Sequence, residues 1–105
     1  MYTIIETPKY LKQATALLTE EEREAVASYI ALNPTAGFVI PGSGGIRKLR
    51  WRMQKGGKRG GHRLIYFNKL HRGQIWLLMI YSKRQFENIS ARELIKVRKA
   101  IDDGN

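Results

Sequence analysis

Along the chain, apolar positions recur first at strand spacing, then at helix spacing, and then at strand spacing again. The opening MYTIIET alternates and is rich in β-branched residues, which predicts a short strand stopped by Pro8. PKYLKQATALL supports a helical turn or two. Thr19 is placed as an N-cap with Glu22 three residues on, a capping box, and Glu20, Glu21 and Glu22 suit the positive end of a helix. Ala25, Val26, Tyr29, Ile30 and Leu32 then recur at helical spacing until Asn33-Pro34 ends the run. TAGFVIPGSGG reads as a turn-rich connector. From Ile46 the period becomes two: Leu49, Trp51 and Met53 alternate with Lys48, Arg50 and Arg52, so one strand face is apolar and the other cationic. HRLIYFNKL and QIWLLMIYS follow as strands joined by a short hairpin turn at HRG. The second is almost wholly apolar, as expected for a strand covered on much of both faces. Ser90 with Glu93 forms another capping box, and Leu94, Val97 and Ile101 give the stripe of a last helix ending near Gly104.

The order βααβββα predicts an α+β fold, a small and largely antiparallel sheet with helices packed on it, as one domain over residues 1–105. Leu49, Trp51, Met53 and Trp76 are expected in the core. Lys69 and Arg72 flank the hairpin turn and are expected in solvent. Arg92, Lys96, Arg98 and Lys99 form an expected exposed helix face near its negative carboxyl end.

Composition adds little to this until charge is considered. No apolar run approaches the ~20 residues of a membrane span, no signal-peptide pattern opens the chain, and there is no cysteine, so a cytoplasmic protein is expected. The formal charge is +10. Between Gly42 and Arg84 stand Arg47, Lys48, Arg50, Arg52, Lys55, Lys58, Arg59, Arg63, Lys69, Arg72, Lys83 and Arg84, with no Asp or Glu. Solvated faces ordinarily interleave both signs, which lowers self-repulsion. A segment without acids points to a polyanion, and nucleic acid is the expected partner.

Candidate chemistry is narrow. With His62 and His71 the only histidines and no cysteine, no metal-ligand set or other cofactor site is visible. Gly57-Lys58 is followed by Arg59, not Ser or Thr, so the phosphate-binding P-loop pattern fails. RNA, however, carries its own nucleophile. Attack by its 2′-OH on the adjacent phosphodiester needs a base, cations around the transition state and an acid for the leaving 5′ oxygen. Lys48, Arg50, Arg59, Arg63, Lys83, Arg84, Tyr66 and Tyr81 supply such groups, and His62 has the intrinsic pKa of a base. The glycine pairs of KGGKRGGHR allow close backbone approach to a phosphate, so this stretch is expected to form the rim of the site.

GSGGIRKLRW, GKRGGHRLIYF and LLMIYSKR, in that order, resemble the HigB-type branch of the RelE/ParE superfamily, toxins of type II bacterial toxin–antitoxin modules. The resemblance runs over nearly the whole chain. It implies a compact microbial-RNase-like fold, metal-independent cleavage of mRNA in the ribosomal A site, and neutralisation by a helix-turn-helix antitoxin through which operator DNA is bound. Carried over residue by residue, it makes Arg63 and Arg59 catalytic and places Lys48, Arg50, Lys83 and Arg84 on phosphate. With Tyr81, Arg52 and Lys58 added from the residues themselves, the expected catalytic set is Arg63, Arg59, Lys83 and Tyr81, and the expected RNA-binding set is Lys48, Arg50, Arg52, Lys58 and Arg84. The tyrosine that RelE-type toxins place a few residues after the basic pair is Ser90 here, so the proton-transfer group is left among Tyr81, Tyr66, Lys83 and His62. A ParE-like gyrase inhibitor and a non-catalytic RNA- or ribosome-binding module are the alternatives.

Overall fold

Thr7 opens the first helix by accepting a hydrogen bond from the Tyr10 amide on its side chain, with Pro8 at the position where a missing N–H costs nothing. A computed structural model of the chain describes residues 2–52, 61–82 and 90–103. Its elements are β1 (Thr3–Glu6), α1 (Pro8–Leu17), α2 (Glu20–Leu32), β2 (Phe38–Val39), β3 (Arg47–Trp51), β4 (His62–Lys69), β5 (Gln74–Ser82) and α3 (Ala91–Asp103), with a 3-10 turn at Leu70–Arg72 between β4 and β5. Both capping boxes form: Thr19 with Glu22 opens α2, and Ser90 with Glu93 opens α3.

The sheet order is β1-β5-β4-β3-β2, antiparallel except where β1 lies parallel to β5. Helices α1 and α2 therefore carry the chain from one sheet edge to the other. They cover one face, where Tyr10, Ala14, Val26 and Ile30 pack on Leu64, Tyr66, Ile75, Leu77 and Ile80. Helix α3 covers part of the opposite face, where Leu94 and Ile101 pack on Ile46, Ile65, Phe67 and Met79. A register irregularity at Ile65/Tyr66 leaves Leu78 without a partner on β4, and so Leu78 and Met79 both turn to the α3 side. Beyond the end of β1, the edge of β5 is satisfied by side chains. The Thr7 hydroxyl donates to the Leu77 carbonyl (2.9 Å), and Gln13 Oε1 accepts from the Ile80 amide (2.9 Å).

Four expectations need correction. The connector after Pro34 contains a strand, β2, and α1 runs for 10 residues instead of a turn or two. Lys69 is buried, at 4% exposed: strand parity sends it beneath the end of α3, where its ammonium donates to the Ile101 carbonyl (3.2 Å) and lies 3.7 Å from Asp102. Oxygen acceptors at a helix C-terminus are what permit a lysine there. Arg98, expected in solvent, is half-buried. It lies 5.7 Å from the centre of the Phe67 ring and pairs with Asp102 at 3.5 Å.

The connector that leads into β2 is held from beneath. The Tyr66 hydroxyl donates to the Pro34 carbonyl (2.8 Å) and accepts from the Gly37 amide (2.9 Å), and Asn68 also donates to Pro34 (2.8 Å). Gly37 is required by proximity, since a Cβ there would lie 2.8 Å from the Lys48 carbonyl oxygen. Tyr66→Phe leaves the buried Gly37 amide without its acceptor and is expected to cost about 1–3 kcal/mol in urea denaturation. Tyr10 offers the contrast, because its buried hydroxyl has no hydrogen-bond partner among the described residues. Tyr10→Phe is expected to be neutral or slightly stabilising in the same measurement.

Candidate nucleic-acid interface

Period-two alternation on β3 and β4 decides which side chains share a face, and strand register decides which stand together. Arg50 pairs with Arg63, and Arg63 with Tyr81, so these three form one row across β3, β4 and β5. Lys48 pairs with Ile65, which pairs with Met79, giving the next row on the same face. Ile65, Met79 and Tyr81 all belong to the cluster under α3, so the face is divided. Helix α3 covers one end, and Lys48 and Arg50 stand exposed at the other with Arg63 half-buried between strands. Arg52, just beyond β3, is exposed as well. Side chains directly opposite in such a ladder have Cβ atoms about 5 Å apart, close enough for neighbouring cations to meet one phosphodiester from two sides. No acid lies on β3, β4 or β5 to compete for them.

Other candidates fall elsewhere. Arg47 turns to the α1–α2 face and donates to the Gly37 carbonyl (2.7 Å), tying β3 to the connector. Tyr66 is fully buried on that face, and burial raises its pKa; with both hydrogen bonds committed to backbone, it is structural. His62 alternates with Arg63 and therefore also lies on the helix face, facing the charge of Glu22 rather than the cation row. Burial lowers its pKa, with Glu22 acting in the opposite sense. Trp51 packs edge-on against Tyr29 with centroids 5.7 Å apart, as a partly buried core residue. Trp76, partly buried against the α3-side cluster, donates through Nε1 to Gln74. Ser90 is occupied as the cap of α3.

Tyr81 remains on the cationic face, 8% exposed, with its ring in the cluster under α3. Beside it a cleft of about 460 Å³ is lined by Lys9, Lys12 and Gln13 of α1. Those lysines were not among the candidates, because nothing local links α1 to the end of β5. Arg59, Lys58, Lys83 and Arg84 lie outside the described residues. Arg52, Gly61 and Ser82, three of the four described residues that adjoin their segments, lie at the end of the sheet that carries Arg50, Arg63 and Tyr81, and the fourth, Ser90, caps α3. At Gly61 φ is +55°, and a Cβ would lie 2.5 Å from the Trp51 carbonyl oxygen, so glycine is needed where the chain re-enters the sheet.

No known protein-family model matches the chain. Among solved structures, the chain is similar to a doubly substituted variant of the Escherichia coli toxin RelE in the free state, at 16% identity and TM-score 0.64, over 92% of this chain and 96% of that one. It is also similar to the isolated E. coli RelE toxin, at 16% identity and TM-score 0.55, over 96% and 99%. At that identity the likeness concerns the path of the backbone. The chain has the fold of the RelE toxin.

Two outcomes follow from the geometry. Arg50 opposite Arg63 is a like-charge pair, so Arg50→Gln is expected to raise stability by about 0.2–1 kcal/mol at low salt. The gain should shrink as added salt screens the repulsion, which denaturation at two ionic strengths would reveal. For His62 the folded pKa lies below the ordinary value of 6.5, so the folded state binds fewer protons than the unfolded chain near that pH. Wild-type stability relative to His62→Gln is therefore expected to fall as pH drops below about 6.5 and to be level above it.

Proposed function

We propose that this protein is the toxin of a type II toxin–antitoxin pair, an endoribonuclease of HigB type that cleaves mRNA in the A site of the translating ribosome. The observation that carries the reading is the row Arg50–Arg63–Tyr81 with Lys48 beside it, on the part of the sheet that α3 leaves open. The fold of RelE supports it.

In this reading Lys48, Arg50 and Arg52 hold the RNA backbone, with Lys58 and Arg84 assigned the same role from sequence. Arg63 sits between Arg50 and Tyr81 and stabilises the charge that gathers on the phosphate oxygens. The 2′ oxygen attacks phosphorus, the bond to the 5′ oxygen breaks, and a 2′,3′-cyclic phosphate and a 5′-hydroxyl result. One proton leaves the 2′ oxygen and one arrives at the 5′ oxygen. Tyr81, in the row with Arg63, is assigned to proton transfer; Arg59 and Lys83 are assigned to the same reaction from sequence. All of these roles are filled by side chains, without a metal ion. The partner is a helix-turn-helix antitoxin, and a surface of net charge +10 suits an acidic segment of it.

Primer extension on a defined mRNA in a translating extract, with and without ribosomes, tests the reading. Wild type is expected to cut at in-frame positions only when ribosomes are present. Arg63→Ala should lower the rate about 10²–10³-fold, while its RNA affinity falls modestly and its salt slope drops by about 0.7. Tyr81→Phe should retain binding, lose about 10²–10⁴-fold in rate and lose one limb of the pH–rate profile. Intact mRNA with wild type would leave an RNA-binding module, and parallel loss of binding and rate in every variant would remove the catalytic assignments.

A further inference from the structure

Phe38 is 84% exposed although it lies in a strand and is a large aromatic. Its register explains where it points. Phe38 pairs with Lys48, so the two share a face, and that face is the one carrying Arg50, Arg63 and Tyr81. Ile40, two residues on, packs into the cluster under α3, which places Phe38 on the same side independently. The sheet thus presents one row running Phe38–Lys48–Ile65–Met79 and, beside it, the row of Arg50, Arg63 and Tyr81.

The backbone beneath Phe38 is held on both sides. Gly37 is bonded to the buried Tyr66 hydroxyl and to Arg47. After β2, the Ile40 amide donates to the Ile46 carbonyl (2.8 Å), and the buried Ser43 hydroxyl donates to the Ile40 carbonyl (2.6 Å) and accepts from the Ile46 amide (3.0 Å). A ring in solvent on so firmly held a backbone is presented rather than merely left out. Its immediate neighbour is a lysine, and two strand spacings with a two-residue offset put its Cα roughly 12 Å from that of Arg63. A cationic track with an aromatic beside it is the arrangement that binds single-stranded nucleic acid, phosphates on the cations and a base on the ring.

We propose that Phe38 is a base-stacking platform: a nucleotide neighbouring the phosphate held at Arg50 and Arg63 lays its base on this ring. The proposal rests on the reading of the cationic face as an RNA site and adds to it the element that grips a base, without regard to which base it is. A protein-facing role for the exposed ring is the competing assignment. The shared face with Lys48, Arg50 and Arg63 favours RNA.

The test uses the full chain and a short single-stranded RNA with 2′-O-methyl groups, which binds without being cleaved. Affinity is measured against salt concentration for wild type, Phe38→Ala, Phe38→Leu, Phe38→Tyr and Lys48→Ala. Phe38→Ala should weaken binding roughly 5- to 150-fold with an unchanged salt slope, because stacking releases no counterions. Phe38→Tyr should bind as wild type and Phe38→Leu should resemble the alanine variant. Lys48→Ala should lower the slope by about 0.7. If Phe38→Ala binds like wild type while Lys48→Ala loses slope, the stacking assignment is overturned and the cationic face stands. If leucine restores binding as well as tyrosine does, a nonspecific apolar contact replaces stacking and the proposal also fails. If wild type binds no RNA, or binds with a slope indifferent to Lys48, the reading of the face as an RNA site has failed first.

Discussion

Arg50 stands directly across the β3–β4 ladder from Arg63, and the surface of the molecule is organised around tolerating that pair. Like charges opposite one another push strands apart. The same strands are held from behind, where Leu49 and Leu64 pair on the opposite face and Ile80 continues the row on β5, all packed with α1 and α2. Burial of large aliphatic side chains, at about 1.5–3 kcal/mol each, outweighs a repulsion that water and salt reduce. A sheet with one face given to the core can therefore spend part of the other on cations.

Helix α3 sets how much of that second face is left. Its apolar stripe covers Ile65, Phe67 and Met79, and its last turn is fastened by Lys69 beneath it and by Arg98 lying over Phe67. Both fastening residues are basic, yet neither belongs to the open cationic surface, because Asp102 pairs with each. Positive charge thus does two jobs in this chain. Next to an acid at a helix end it holds the fold together; on strands that carry no acid it gathers into a cationic row. The RelE fold supplies the frame for this division, and the low identity with RelE means that the choice of side chains has to be argued from this chain's own register.

Much was legible before the structure. The capping boxes at Thr19 and Ser90, the alternation on β3 and the apolar run of β5 are local signals, and each produced the expected element. The cationic side of β3 followed from alternation alone. What escaped depended on contacts between residues far apart in the chain. β2 is 2 residues long, too short for periodicity, and exists because β3 lies beside it. Lys69 reads as a turn residue until α3 is laid over it. Tyr66 and His62 read as candidate proton carriers until strand parity sends them to the helix side.

The sequence by itself determined which residue types lie on which side of each strand, since that follows from a period of two along a single segment. It also determined the acid-free stretch from Gly42 to Arg84. Only the tertiary structure decided that Lys48, Arg50, Arg63 and Tyr81 form neighbouring rows, that Phe38 joins the first of them, and that Arg47 does not. Strand order and register are set by how two helices and a third divide the faces of the sheet between them, an energy shared among residues distant in sequence. No single segment contains it.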